Sequence, residues 1–251
     1  SSVLKDSSDI AISNVIGSNI ANFGLVLGLA LFFSQIKISK DIINQDWNFL
    51  MIVSVIFTFF ALSNQEVNRV EGGILFALLI CSLIYVFKTS DDKQSEKELI
   101  AKSNFKLILI IVFSSLMLYY GSEFFVESSI YFADYFGVSE RIIGLTIVAI
   151  GTSLPEVVTT LVAVFKKELD ISIGNIIGSN IFNILAVVGL TSIIKPLEIT
   201  SKTNFQFDIS VMFVFILLLF LFYSLSKTKI LGRVNGVILL LSFIVYYVLI
   251  L

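Results

Sequence analysis

Asp9–Asn22 reads DIAISNVIGSNIAN, and Asp170–Asn183 reads DISIGNIIGSNIFN. Ten of these fourteen positions are identical at a constant offset of 161 residues. Both copies lie inside long apolar segments, where a polar side chain is costly unless it has a function. A polar motif that is duplicated in this way predicts one binding site built from two pseudo-symmetric halves.

The composition around the two copies is that of a membrane protein. Of 251 residues, 57% are hydrophobic and 14% are charged, whereas soluble domains carry about 25% charged residues. Eight apolar stretches are long enough to cross about 30 Å of hydrocarbon. They are roughly Ile10–Phe33, Trp47–Leu62, Val70–Phe87, Phe105–Ile130, Arg141–Phe165, Ile171–Ile194, Phe207–Ser224 and Leu231–Leu251. We therefore predict an all-α integral membrane protein with eight transmembrane helices in the lipid bilayer.

The repeat continues beyond the first motif. RVEGGIL at Arg69–Leu75 is similar to RVNGVIL at Arg233–Leu239. Five predicted spans separate corresponding segments, and because five is odd the second copy should cross the membrane in the opposite direction. This pattern predicts an inverted repeat, as in many secondary transporters. The two halves would be residues 1–87 and 106–251, joined by the hydrophilic linker 88–105 into one membrane domain.

The distribution of positive charge predicts the orientation. If successive loops alternate sides, twelve of the 17 Lys and Arg residues fall on the side of the linker and five on the other. The positive-inside rule then places the linker in the cytoplasm. The chain contains no histidine, which excludes most zinc, haem and histidine-base chemistry.

A proline interrupts the span Arg141–Phe165 within the sequence GTSLPE. Pro155 has no N–H group and cannot bond to the carbonyl of Gly151, so we expect the helix to kink or break there. A carbonyl oxygen freed near the bilayer centre needs a partner, and a cation is a suitable one. Thr152 and Glu156 lie four residues apart and share a helix face, with Ser153 beside Thr152.

Two polar stripes add further oxygen atoms to this region. They are Asn14, Ser18 and Asn22 in the first copy and Asn175, Ser179 and Asn183 in the second. Carboxylate, hydroxyl, amide and carbonyl oxygens are hard donors, which suit calcium and sodium. As an alternative, Ser and Asn could bond neighbouring helices in a membrane scaffold that binds no cation. That alternative does not explain why the polar positions match between the halves.

At these residues the chain resembles a known family. GTSLPE followed by GNIIGSNIFN is similar to the second alpha-repeat of the calcium/cation antiporter superfamily, which includes the sodium/calcium exchangers of bacterial and archaeal type. SNVIGSNIAN is similar to the latter part of the first alpha-repeat. The resemblance covers essentially the whole chain. It implies a full fold of ten helices in two inverted five-helix halves, whose broken central helices carry the ions.

The resemblance also implies a set of ligands. The cations would be bound by Thr152, Ser153, Glu156, Ser179, Asn183, Ser18, Asn22 and the backbone carbonyl of Ala149. Calcium and sodium would be the transported ligands. We expect no cofactor, no nucleic acid and no obligatory protein partner.

The chain departs from the family pattern at two points. A shift of Glu156 by 161 residues falls before Ser1, so the first-half GTSxPE counterpart and the helix before it are expected upstream. Asn183 stands where several members, including the potassium-dependent exchangers, carry Asp, and Asn supplies an oxygen without a charge. Glu123 and Glu127 match an acidic pair that is frequent in the family, and they could either guide cations at the outer mouth or bond helix ends.

The sequence therefore predicts a transporter, not an enzyme, in the plasma (inner) membrane of a prokaryote. It would exchange sodium for calcium by alternating access, with the cations bound at mid-membrane. The alternative within the same superfamily is a calcium or other cation/proton antiporter, in which Glu156 would titrate during the cycle. An integral membrane enzyme would normally need His ligands or a Ser–base pair, and the chain has no His and no metalloprotease motif.

Overall fold

The computed structural model describes residues 8–90 and 139–250, together with single positions between 109 and 137. These residues are predominantly helical and include seven helices long and apolar enough to cross a membrane. We number them spans 1 to 7: Ile10–Phe33, Ile42–Asn64, Arg69–Lys88, Arg141–Phe165, Ile171–Ile194, Lys202–Leu225 and Arg233–Ile250. The eighth predicted span, Phe105–Ile130, and the linker 88–105 lie largely outside the described residues.

Several spans are built from consecutive helical segments. The α-helices are Ser8–Ala21, Gly28–Phe33, Asn48–Asn64, Arg69–Ser90, Glu140–Ile143, Ala149–Thr152, Leu154–Phe165, Leu169–Phe182, Gly189–Ile194, Lys202–Leu225 and Arg233–Ile250. Four π-helical turns lie between some of them, at Asn22–Leu27, Ile42–Trp47, Gly144–Val148 and Asn183–Val188. Four short strands lie in the loops: β1 Ile36–Lys37, β2 Glu66–Val67, β3 Leu197–Glu198 and β4 Ile230–Leu231.

Four predicted span boundaries were wrong by two residues or more, one of them the end of span 2, which lies at Asn64 rather than Leu62. Spans 2 and 6 each begin five residues before the predicted Trp47 and Phe207, because the helix continues beyond the apolar stretch. In span 2 this added turn contains the exposed polar residues 44–46, which an apolar criterion misses. Span 7 begins at Arg233 rather than Leu231, because Leu231 belongs to strand β4.

The strands connect the two halves of the chain. β1 pairs antiparallel with β4, and β2 pairs antiparallel with β3. In each pair the apolar partners that face each other are buried, Ile36 against Leu231 and Val67 against Leu197. Each two-stranded sheet therefore holds a loop of the first half against a loop of the second, a feature that the sequence did not predict.

Two close helix contacts repeat between the halves. Span 7 packs along the end of span 1, and span 3 packs along the end of span 5. A Cβ atom on Gly236 would lie 2.6 Å from the carbonyl oxygen of Gly28, and one on Gly72 would lie 2.8 Å from the carbonyl oxygen of Gly189. Glycine lets these backbones approach more closely than any larger residue would allow.

The beginning of span 4 is held by polar contacts from spans 6 and 7. Arg141 donates from Nε and Nη2 to the two carboxylate oxygens of Asp208, at 2.8 and 2.7 Å. The Tyr246 hydroxyl donates to Asp208 Oδ1 at 3.1 Å, and the Tyr247 hydroxyl donates to the carbonyl of Leu145 at 2.7 Å. These bonds anchor the helix that leads to the proline break.

Adjacent glycines of span 3 offer a test of the close packing. Gly72→Ala should destabilise the protein by about 1–3 kcal/mol, because the new methyl group meets backbone that cannot yield. Gly73→Ala is the matched control: a Cβ there meets no atom of another described helix within 4 Å, so better helix propensity should stabilise the protein by up to about 1 kcal/mol. Thermal unfolding in detergent measures both, and equal melting temperatures would contradict the packing argument.

The ion pair of span 4 generates a second prediction. Asp208→Ala should destabilise the protein by roughly 2 kcal/mol, because it leaves the Arg141 guanidinium largely buried without its counter-ion. The double variant Arg141→Met with Asp208→Leu should recover much of that loss, since neither charge remains. Melting temperatures of the single and double variants test this, and a double variant that unfolds below Asp208→Ala would contradict it.

Candidate cation site

The predicted break in span 4 is present at Ser153. One helix ends at Thr152 and the next begins at Leu154, with Ser153 at φ −90° and ψ −2° between them. Pro155 lies in the first turn of the second helix, where its missing N–H group costs nothing. Glu156 lies in the same turn, where the positive end of the helix dipole favours a carboxylate.

Spans 1 and 4 form a cluster of oxygen atoms at this break. Thr152 Oγ1 lies 3.0 Å from both Ser18 Oγ and Asn14 Oδ1, and 2.9 and 3.2 Å from the carbonyl oxygens of Val148 and Ala149. Ser18 Oγ also lies 3.2 Å from Asn14 Oδ1. Each hydroxyl carries a single proton, so these contacts outnumber the protons that can satisfy them. Such a cluster favours a cation.

Spans 4 and 5 form a second polar cluster around Glu156. Ser179 Oγ donates to Glu156 Oε1 at 3.4 Å, whereas Oε2 is buried and has no hydrogen-bond donor in the described part of the chain. One turn earlier, Asn175 Nδ2 donates to the hydroxyls of Thr159 and Thr160 at 3.0 and 3.1 Å. An open cleft of about 320 Å³ lies along this side of span 5, lined by Glu156, Gly174, Asn175, Gly178, Ser179, Phe182 and Asn183.

Four amide side chains cross between spans 1 and 5. Asn22 Nδ2 donates to Asn180 Oδ1 at 2.9 Å, and Asn183 Nδ2 donates to Asn19 Oδ1 at 3.0 Å. Asn22 Oδ1 is buried and receives no hydrogen bond from the described part of the chain. Asn22 and Asn183 are each the first residue of a π-helical turn, a local irregularity that is common at functional sites.

The eight predicted ligands are distributed over these clusters. Ser18, Thr152 and the Ala149 carbonyl lie in the first cluster and Ser179 and Glu156 in the second, while Asn22 and Asn183 lie at the amide crossing. Ser153 is buried at the break. Among the acidic pair, Glu123 lies outside the described residues and Glu127 is an exposed helical position. Among residues 8–90 and 139–250, no three side chains of His, Cys, Asp or Glu lie close enough together to hold a metal ion.

Asn19 and Asn180 were missed by the sequence analysis. Each is fully buried and bonds a predicted ligand of the other copy. A spacing of four along the helix selects residues 14, 18 and 22 and passes over position 19. The signal that could have found them is that the tripeptide Gly-Ser-Asn, which ends in each of these residues, is identical in the two copies of the repeat.

The fold and these clusters define a polytopic membrane protein whose candidate site holds the carboxylate of Glu156 among neutral oxygen donors. The chain belongs to the sodium/calcium exchanger protein family, whose family model matches residues 1–88 and 106–251. Members of this family are transporters rather than enzymes. The family assignment made from GTSLPE and the two GSN motifs is therefore confirmed.

Individual relatives agree with the family assignment. The chain is 30% identical over 287 residues to the sodium/calcium exchanger MaX1 of Methanosarcina acetivorans, covering 98% of this chain and 81% of that protein. It is 33% identical over 220 residues to the inner membrane protein YrbG of Escherichia coli, covering 83% and 67%. A solved structure of the sodium-calcium exchanger NCX_Mj, soaked with Na⁺ and Ca²⁺, matches with a TM-score of 0.68 and 29% identity, covering 97% of this chain and 77% of that one.

Asn183→Asp tests whether this position faces the ions. The change is nearly isosteric, so packing should survive, but it adds a carboxylate to the cleft that Glu156 already lines. Two like charges on one cleft resist joint ionisation, so transport should become more dependent on pH or on a further cation such as potassium. Calcium flux against pH and potassium measures this. Profiles that superimpose on those of the wild type would show that Asn183 lies off the ion path.

Proposed function

We propose that this protein exchanges sodium for calcium across the membrane by alternating access, with the cations bound near the middle of spans 1, 4 and 5. Six buried side-chain atoms lack a hydrogen-bond partner among the described residues, and the observation that carries the proposal is that two of them, Glu156 Oε2 and Asn22 Oδ1, can only accept. A buried polar atom left unsatisfied costs about 1–3 kcal/mol. A bound cation would remove this cost at both atoms.

The ligand set in this proposal consists of side chains and one carbonyl. It comprises Glu156, Thr152, Ser153, Ser179, Asn183, Ser18, Asn22 and the backbone carbonyl of Ala149. All offer hard oxygen donors, which bind calcium and sodium rather than soft metals. The similarity to MaX1 and NCX_Mj, both named sodium/calcium exchangers, supports the same pair of ions.

Competition between the two ions would drive the cycle. A single calcium ion and a set of sodium ions would share the same oxygen atoms, so binding of one load would exclude the other. The charge of Glu156 would partly neutralise either load. Exchange follows if the protein changes its accessible side mainly when the site is loaded.

We also propose that the two halves, 1–87 and 106–251, form an inverted repeat within one membrane domain. The strand pairs support this arrangement: β1 pairs with β4 while its counterpart β3, 161 residues later, pairs with β2. The glycine contacts support it too, because Gly28 meets Gly236 as Gly189 meets Gly72. Ten helices in the full protein and a cytoplasmic linker 88–105 complete this proposal.

The proposed location is the plasma membrane of a prokaryote. The excess of Lys and Arg on the linker side supports a cytoplasmic linker. The relatives come from a bacterium and an archaeon, and the bacterial one is named an inner membrane protein.

Glu156→Gln in the full-length protein is the test of this function. The variant keeps the size of the side chain and removes its charge, so sodium-driven calcium uptake into reconstituted vesicles should fall to the level of protein-free vesicles. Glu168→Gln makes the same chemical change at an exposed position after span 4 and should transport normally. Normal uptake by Glu156→Gln, at matched protein amounts, would overturn the proposal.

The driving gradient separates the two exchange modes. We expect calcium uptake by the wild-type protein to follow an outward sodium gradient at equal pH on both sides. Uptake that follows a proton gradient and ignores sodium would instead support a calcium or other cation/proton antiporter.

A further inference from the structure

Asn19 and Asn180 lie at the crossing of spans 1 and 5 and belong to neither predicted stripe of ligands. Both side chains are completely buried. Each accepts a hydrogen bond from a candidate ligand of the opposite copy: Asn19 from Asn183, and Asn180 from Asn22. Their positions correspond through the offset of 161 residues, so the same kind of amide–amide hydrogen bond occurs once in each direction between the two halves.

The orientation of the Asn19 amide is fixed by its surroundings. Its Nδ2 group lies 3.5 Å from the backbone carbonyl oxygen of Asn180 and 3.7 Å from Met212 Sδ. Both neighbours can only accept hydrogen bonds, so the Asn19 amide must turn its nitrogen to them. Its Oδ1 atom is then left to face Asn183.

The orientation of the Asn19 amide decides which amide atom of Asn183 is available to the cleft beside Glu156. Because Asn19 offers an oxygen, Asn183 must offer its Nδ2 group, at 3.0 Å. The remaining amide atom of Asn183 is Oδ1, on a side chain that lines the cleft beside Glu156. A rotated Asn183 amide would present N–H groups there, which repel a cation.

The second pair has the same arrangement of donor and acceptor, with Asn22 in the place of Asn183 and Asn180 in the place of Asn19. Asn22 Nδ2 donates to Asn180 Oδ1 at 2.9 Å, and the buried Asn22 Oδ1 is left without a donor. Asn180 Nδ2 is itself without a partner among the described residues, so this second amide is held less firmly than that of Asn19.

We propose that Asn19 and Asn180 are positioning residues that turn the amide oxygens of Asn183 and Asn22 toward the transported cation. This inference rests on the proposed function. In each case a residue of one half of the protein orients a ligand of the other half. A residue of this kind typically contributes about 10- to 100-fold to metal affinity without touching the metal.

Asn19→Ala in the full-length protein tests the inference through calcium affinity. Equilibrium binding of radioactive calcium to the purified protein should weaken about tenfold or more. Asn68→Ala is the control for lost stability alone: Asn68 Oδ1 caps span 3 by accepting from Val70 N and Glu71 N, far along the chain from the site. This control should lower the melting temperature and leave calcium affinity unchanged.

A double variant separates positioning from general support. When it is ionised, the carboxylate of Asn183→Asp has two equivalent oxygens, so it has no wrong orientation, and calcium binding is measured at a pH high enough to ionise it. In that background Asn19→Ala should weaken calcium binding by less than about threefold, well below the 10- to 100-fold range of an orienting contact. An equal loss in both backgrounds would mean that Asn19 only supports the helix crossing, and would overturn the inference.

The remaining outcomes are also decisive. If Asn19→Ala does not yield folded protein, Asn180→Ala takes its place with Asn22→Asp as the background, because Asn180 already holds an unpaired group and should be cheaper to remove. Wild-type affinity in Asn19→Ala would overturn this inference alone. Absence of calcium binding by the wild-type protein would overturn the proposed function and this inference with it.

Discussion

A buried oxygen atom needs a hydrogen-bond donor or a cation, and two side-chain oxygens of the candidate site have no donor among the described residues. The Thr152 hydroxyl is surrounded by four oxygen atoms within 3.2 Å, and Glu156 and Asn22 each retain a buried oxygen without a donor. Lipid offers no donors in place of water. These unsatisfied oxygen atoms are the physical basis for proposing a cation at this site.

The surrounding helices keep these acceptors from finding other partners. Span 4 is anchored at its start by the Arg141–Asp208 ion pair and by two tyrosine hydroxyls of span 7. Spans 1 and 5 are held at their ends by glycine contacts with spans 7 and 3. A site of fixed oxygens needs such support, because mobile side chains would turn to satisfy one another and lose their preference for a cation.

Parts of this arrangement could be read from the sequence. Pro155 predicted a break, and the helix does stop at Thr152 and resume at Leu154, because a missing N–H group acts locally. The π-helical turns that begin at Asn22 and Asn183 were not predicted, because no residue type marks where a helix takes up one extra residue. The sequence also does not show which of the adjacent residues Gly72 and Gly73 must be glycine, because that depends on which of them contacts the neighbouring helix.

Only two of the four asparagines at the crossing of spans 1 and 5 could be predicted from the sequence. Periodicity along one helix identifies residues that share a face, and so it found Asn22 and Asn183. It says nothing about contacts between two helices, and so it passed over Asn19 and Asn180. Those two residues become visible only when spans 1 and 5 are brought together in space.

The pairing of β1 with β4 has a consequence for how the protein is made. Ile36 pairs with Leu231, so the two partners are synthesised 195 residues apart. At about 5–20 residues per second, the second strand follows the first after roughly 10–40 seconds. Strand β1 therefore has no β4 to pair with until the loop before span 7 has been synthesised, so this contact can form only after spans 1 to 6 have been made.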